Sequence, residues 1–327
     1  MALRAIIPVA GVGTRLRPHT HIVPKALLTV ADQPILGHIL DGLLAAGVTE
    51  VVLVVGYRGE QIVEYIRTKS PNLSLRWVRQ EEPLGLGHAI WCARHYLDGS
   101  PALIVLGDTI VELNWQELFR QPDNVVGVKE VEDPRRFGVV LLRDGMIEGF
   151  VEKPEEPPSN LALVGVYMIA DTAALRTALE ELLQRGLRTR GEYQLTDALE
   201  LMRRSGVRFR PFVVQTWYDC GKVETLLETN RHLLHRRSNH PELPGCAVIP
   251  PVYIAPSAQV EHSVIGPYVA ISEGARVRFS IVRDAIINAG ASLEAVVLEQ
   301  SVIGANALVC GRFQRVNVAD DSEIRWE

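Results

Sequence analysis

Four short words recur near the C-terminus: IAPSAQV from Ile254, ISEGARV from Ile271, INAGASL from Ile287 and IGANALV from Ile303, in steps of 17, 16 and 16 residues. In each, a second aliphatic lies six positions on, at Val260, Val277, Leu293 and Val309, with small residues between. A single coil of this length encloses no core. Its aliphatics are buried only by stacking on those of the next coil, which predicts a parallel β-helix. A sandwich of short strands is the competing arrangement, but it gives no reason for four matching words. Aromatic residues are scarce in this stretch and no histidine recurs, so it shows no sign of chemistry.

The residues before this repeat keep a different rhythm. Leu3 to Val9 and Glu50 to Gly56 are continuous apolar runs ended by glycine, the mark of strands buried on both faces. Helical spacing follows each, at Pro34 to Ala46 and Gly59 to Arg67. The alternation continues with a strand at Leu73 to Arg79, a helix near Leu86 to Tyr96 and a strand at Ala102 to Leu106. Such alternation predicts an open, mostly parallel, Rossmann-like α/β sheet, whose ligands collect outside the carboxyl ends of its strands. Gly11 to Arg17, Gln80 to Gly87 and Asp108 then share one rim. From Val125 to Ile169 the strands shorten into an antiparallel excursion. Helices are expected at Thr172 to Leu183 and Gln194 to Arg204, then a strand near Arg208 to Val214 and a final helix to about Leu234. The expected division is a sheet domain over 1–235, a polar, proline-rich linker over 236–250 and a β-helix over 251–327.

Composition narrows the partners. The chain has 327 residues, 47% of them apolar, and a formal charge of −5, so no general basic surface awaits nucleic acid or an anionic membrane. Cys92, Cys220, Cys246 and Cys310 are scattered, with no CxxC, which argues against a disulfide framework or zinc site and suits the cytoplasm. No run reaches the roughly 18 apolar residues of a membrane span. The N-terminal apolar stretch is too short for a signal peptide.

Positive charge must therefore act locally, and AGVGTRLRPHTHIVPKAL, Ala10 to Leu27, concentrates it. A dinucleotide fingerprint needs glycine where Leu16 stands, and a Walker loop needs Gly-Lys where Gly13 meets Thr14 and Arg15. The remaining reading is a phosphate cradle: Gly11 and Gly13 let backbone N–H groups face an anion, and Arg15 offers a planar fork of donors.

GTRLRPxT followed by PK resembles the signature of sugar-phosphate nucleotidylyltransferases. The likeness continues in order through QEEPLGLGHA, LGDTI, RFGVV, VEKP, GEYQLTDAL and YDCGKVETLLETN, covering nearly the first 235 residues. With the terminal repeat, the chain resembles in particular long-form glucose-1-phosphate thymidylyltransferases, which carry a C-terminal left-handed β-helix. Where many relatives have two glycines, this chain has Ala10-Gly11, which leaves the nucleotide open.

The resemblance implies in-line attack of a sugar 1-phosphate on the α-phosphorus of a nucleoside triphosphate, with pyrophosphate leaving. The nucleophile is already an oxyanion, so catalysis is positioning and charge neutralisation. Arg15 is expected on the β- and γ-phosphates, Lys25 on the α-phosphate and the incoming phosphate, and Asp108 with Asp219 on Mg²⁺. Ala10, Gly11, Gly13, Thr14, Gln80, Pro83 and Gly85 are assigned to the nucleotide. The Gln80 amide complements the N3–H and carbonyl edge of thymine or uracil. Gly138, Glu152, Lys153, Glu192 and Thr196 are assigned to the sugar phosphate. Thr14, Arg17 and Lys222 are weaker candidates, while His88 and Trp217 are read as packing residues.

The nucleotide is read as dTTP or UTP and the sugar as glucose, with GTP and mannose 1-phosphate, or UTP and an N-acetylhexosamine phosphate, as alternatives. A non-catalytic sugar-nucleotide-binding subunit is another, although Arg15, Lys25, Asp108, Lys153 and Asp219 are all kept. Acyl transfer by the β-helix would rest on His262 alone. Homo-oligomer assembly is the role expected of that domain.

Overall fold

Apart from Arg4, Thr49 and Glu50 near their starts, Leu3–Val9 (β1) and Val48–Val55 (β2) carry only apolar side chains. Ile6 and Val52 are fully buried and directly paired, and Ile6 pairs on its other side with Ile104 of Ala102–Val105 (β3). The computed structural model describes residues 3–121, 123–239 and 241–312. Its two compact units are Met1–Thr29 with Gln33–Leu226, and Val30–Asp32 with the chain from Leu227 onward.

The first unit is built on a nine-stranded sheet. Ser74–Arg79 lies parallel beside β2, and β2, β1 and β3 follow as parallel neighbours. Leu161–Ile169 then pairs antiparallel with β3 and carries the hairpin of Gly138–Arg143 and Met146–Glu152 on the sheet's far side. Helices Leu86–Cys92, Thr172–Gln184 and Leu195–Arg204 cover this core with Ile90, Leu179 and Leu199. The chain leaves β1 for β2 on one side and reaches β3 on the other, so the crevice for a ligand opens at the carboxyl ends of β1 and β3. Gly107 lies there because the strands' exits come so close: an added Cβ would stand 2.2 Å from Val9 Cγ1.

In the second unit the repeat takes its expected register. Ile254, Ile271, Ile287 and Ile303 pair in one parallel ladder, and Val260, Val277, Leu293 and Val309 in another. A third ladder runs Val248, Ile265, Val282, Leu298. Ala247–Val248 falls inside the span expected as linker, and its pairing with Val264–Ile265 corrects that boundary: Val248 already supplies an aliphatic rung. The unit division at Leu227 also precedes the expected 235. Helix Val223–Arg237 is bound to the β-helix through the Arg231–Asp284 pair at 2.7 Å and Asn230 Nδ2 on Tyr268 O at 3.2 Å. The expected β-helix over 251–327 extends past Arg312, outside the described residues.

This register has a direct test in urea denaturation. Ile271 is fully buried and Ile281, on the outer side of the neighbouring face, is 47% exposed. Ile271→Ala is expected to destabilise the C-terminal unit by about 2–5 kcal/mol. Ile281→Ala should stay within about 0.5 kcal/mol. Equal losses would contradict the register.

Candidate active site

The loop after β1 folds back on itself. Gly13 has φ 67° and begins the single turn Thr14–Leu16, and its carbonyl accepts from Thr20 Oγ1 at 2.8 Å. A Cβ at Gly13 would press on Lys25 Cβ at 3.0 Å, so the loop lies against the lysine it precedes. Lys25 opens another short turn after Pro24 and is nearly buried. A cleft of about 370 Å³ is lined by Ala10, Gly11, Lys25, Gln80, Pro83, Gly85, Asp108 and Glu192. Most of the residues assigned to the nucleotide thus face one space. Gly13 and Thr14 do not line it, and Arg15 faces an adjoining cavity of about 140 Å³ with Arg136, Asp108, Trp217 and Asp219.

Asp108 follows β3, and Asp219 ends strand Thr216–Asp219, which pairs antiparallel with Thr109–Glu112. Cys220 N donates to Asp108 O at 3.1 Å and closes that ladder, so two aspartates more than a hundred residues apart share one rim. Lys25 Nζ stands 2.5 Å from Asp108 Oδ2. Burial works against ionisation of Asp108, but the ammonium and the Thr109 hydroxyl outweigh it and hold the carboxyl below its ordinary range. Asp219 moves the opposite way: burial, then the charge on Asp108, push it up against Lys25, Arg15 and Arg136. Arg136 Nη2 lies 4.0 Å from Asp219 Oδ2.

Among the described residues no group of three or more His, Cys, Asp or Glu is placed to hold a metal. Two carboxylates still fit Mg²⁺, which is commonly held by one or two of them while phosphates and water complete its shell. The upward push of one aspartate by the other is the strain a divalent cation would relieve. Trp217 Nε1 is buried without a partner and lines the smaller cavity, a donor left for an acceptor on a ligand. Its ring packs edge-on against Phe137 at 4.9 Å.

The sugar-phosphate candidates form their own cluster. Thr196 Oγ1 donates to Glu152 Oε2 at 2.6 Å, and Lys153 Nζ pairs with Glu152 Oε1 at 3.0 Å. A Cβ at Gly138 would lie 2.9 Å from both Glu152 Oε2 and Thr196 Oγ1, so glycine keeps this carboxylate open. Arg190, unmarked in the sequence reading, donates to Lys153 O at 2.9 Å. Glu192 faces the larger cleft beside Gln80 and Gly85, apart from this cluster. Tyr193 N donates to Leu84 O and Gly87 N to Tyr193 O, and these two bonds draw its segment onto the Gln80 loop. Arg136 and the orphaned Trp217 donor were likewise missed. Arg136 opens the RFGVV word, the one local signal that could have marked it.

Comparison with known proteins agrees with this geometry. The family described as Nucleotidyl transferase matches residues 4–236. Glucose-1-phosphate thymidylyltransferase of Streptomyces griseus is 32% identical over 97% of this chain and 100% of its own length. The low-salt glycan biosynthesis nucleotidyltransferase Agl11 of Haloferax volcanii is 34% identical over 72% of this chain and 67% of its own. A solved structure of UDP-glucose pyrophosphorylase complexed with UDP-glucose superposes with a TM-score of 0.63 at 26% identity, covering 72% of this chain and all of that one. A crevice at the exits of β1 and β3, lined by Gly11, Lys25, Gln80 and Asp108, and a family match over residues 4–236 lead to one conclusion: the chain belongs to the nucleotidyl transferase family.

Proposed function

We propose that this chain is a sugar-1-phosphate nucleotidylyltransferase that joins dTTP or UTP to glucose 1-phosphate, releasing pyrophosphate, with Mg²⁺ as its cation and the cytoplasm as its compartment. The observation that carries the reading is the meeting of Lys25, Asp108, Asp219 and Arg15 around the wall between two cavities, which both include Leu106 and Asp108. One space presents Gln80 and Gly85 for a base, and the other opens towards Phe137, the neighbour of Gly138. The matched relatives named for thymidylyl and uridylyl transfer support the choice of nucleotide.

Arg15 and Arg136 face the smaller cavity and supply planar forks suited to phosphate oxygens and a departing pyrophosphate. Lys25 neutralises Asp108, and its flexible ammonium lies within the cleft where the triphosphate would bind. Bound at Asp108 and Asp219, Mg²⁺ would supply Lewis-acid stabilisation of phosphate charge. Glu152, fixed by Thr196 and Lys153, accepts from sugar hydroxyls. Lys153 and Arg190 offer positive charge to the sugar's phosphate.

Pyrophosphate release with UTP or dTTP, glucose 1-phosphate and Mg²⁺ tests the reading; its absence with every common pair would favour a non-catalytic subunit. Asp108→Asn and Asp219→Asn should each cut kcat by at least about a hundredfold, on the scale of several kcal/mol of lost charge stabilisation. Chelation should abolish turnover and added Mg²⁺ restore it. Because the Asp219 pKa is raised, its carboxyl takes up a proton as pH falls at values above the usual aspartate point of about 3.9. Calorimetric Mg²⁺ affinity should therefore weaken with falling pH in the wild type, and less so in Asp219→Asn.

We also propose that the β-helix pairs two copies of the chain. Ala247, Val264, Ile281 and Val297 align in one outward row, with Val297 76% exposed. The Arg283–Glu299 pair, itself half exposed, lies two positions along, so a two-fold contact would set each charge against its opposite. Val297→Glu should lower the mass seen by light scattering without changing pyrophosphate release per chain. An unchanged mass would remove the assembly.

A further inference from the structure

Gln80 lines the larger cleft and is 8% exposed, so its amide needs nearly all of its partners from the protein. Its Nε2 lies 3.1 Å from the Gly85 carbonyl and 3.0 Å from His88 Nδ1. A carbonyl oxygen only accepts, so the amide atom beside Gly85 O must be the nitrogen, which excludes the flipped rotamer. Both of its protons are then committed, one to Gly85 O and one to His88 Nδ1. The latter requires His88 to be neutral, with its proton on Nε2, 4.0 Å from Cys92 Sγ. What remains of the amide for a ligand is the Oε1 acceptor.

We infer that His88 is a positioning residue for base selection, locking Gln80 so that the cleft presents a lone carbonyl acceptor to the nucleobase. The inference rests on the nucleotide reading above and sharpens it. Uracil and thymine carry an N3–H that donates to this oxygen. Cytosine has an unprotonated N3 there and adenine an unprotonated N1, whose lone pairs oppose it. With Oε1 held against that ring-nitrogen position, the site takes UTP or dTTP and disfavours CTP and ATP, by the rule that a buried polar group set against its like is costly, while the N1–H of guanine meets this one acceptor as uracil does. Burial pushes the His88 pKa down, opposed by a hydrogen bond to the Glu82 backbone and by the Glu82 charge, with Arg188 adding a smaller downward push; the net direction favours the neutral ring that the Gln80 contact needs.

Calorimetric titration with UTP, dTTP, CTP and ATP, without sugar phosphate, tests base recognition apart from turnover. The wild type should bind UTP and dTTP about a hundredfold more tightly than CTP and ATP. His88→Phe removes the acceptor and should weaken UTP and dTTP about tenfold while leaving CTP unchanged, one hydrogen bond's worth. His88→Asn offers Oδ1 in place of Nδ1 and should recover binding to within about threefold of wild type. In steady-state assays the loss in His88→Phe falls on the KM for the triphosphate rather than on kcat. Equal weakening by Phe and Asn would make His88 a packing residue and overturn the inference. So would an unchanged UTP to CTP ratio in a His88→Phe chain that melts like wild type, or CTP binding as tightly as UTP in the wild type. Expected base order without pyrophosphate release would uphold the inference and sink the transfer reaction instead.

Discussion

Two carboxylates, an ammonium and two guanidiniums gathered at the exits of β1 and β3 set the terms for everything around them. Like charges in partly buried surroundings repel strongly, by about 4 kcal/mol at 4 Å with an effective dielectric near 20. Asp108 and Asp219 share that rim without an equal claim on its positive charge. Lys25 sits directly on Asp108, while Asp219 has Arg136 only at 4.0 Å. Hence the two pKa values part in opposite directions. An arrangement of this kind is poised for more positive charge to enter, and in the proposed reaction an incoming triphosphate would bring the negative charge for Lys25 and the arginines to meet. The fold's part is to hold these groups in place before the ligand arrives, which preorganised electrostatics require.

Much of this was legible in the sequence because it is written locally. Unbroken apolar runs such as Leu3 to Val9 announce strands buried on both faces, and a six-residue aliphatic period announces a stack. Asp108 could be placed because it follows such a run directly. What escaped the sequence depends on contacts between distant segments. Glu192 faces the larger cleft because Tyr193 and the Leu84–Gly87 loop exchange backbone hydrogen bonds, and no pattern around Glu192 encodes that. His88 is read from the sequence as a packing residue because its hydrogen-bond partner, the Gln80 amide, is brought to it by the turn between them. The boundary at Ala247 was missed because a two-residue rung is too short to show a period.

The β-helix shows how such a period is enforced at its corners, where the chain must turn through the left-handed region. His262, Phe279 and Ala295 occupy one such corner in successive coils, with φ of 48°, 50° and 55°. Tyr268, Asp284 and Gln300 occupy a second, and Gly274, Gly290 and Asn306 a third. Each non-glycine residue there costs roughly 1–2 kcal/mol, so hydrogen bonding and stacking must offset it. At the first corner the compensation is a column of buried serines. Ser263 Oγ donates to Glu261 O at 2.7 Å and accepts from Ser280 N at 3.1 Å, and Ser280 Oγ repeats the pattern with Arg278 O and Val296 N. Each hydroxyl thus satisfies the turn of its own coil and the backbone of the next. The small residues of the repeat are therefore more than spacers: at this corner a serine is what allows His262 and Phe279 to sit where glycine would be easier. Val296 follows the corner alanine in place of a third serine, so the column can take one further backbone donor and then ends.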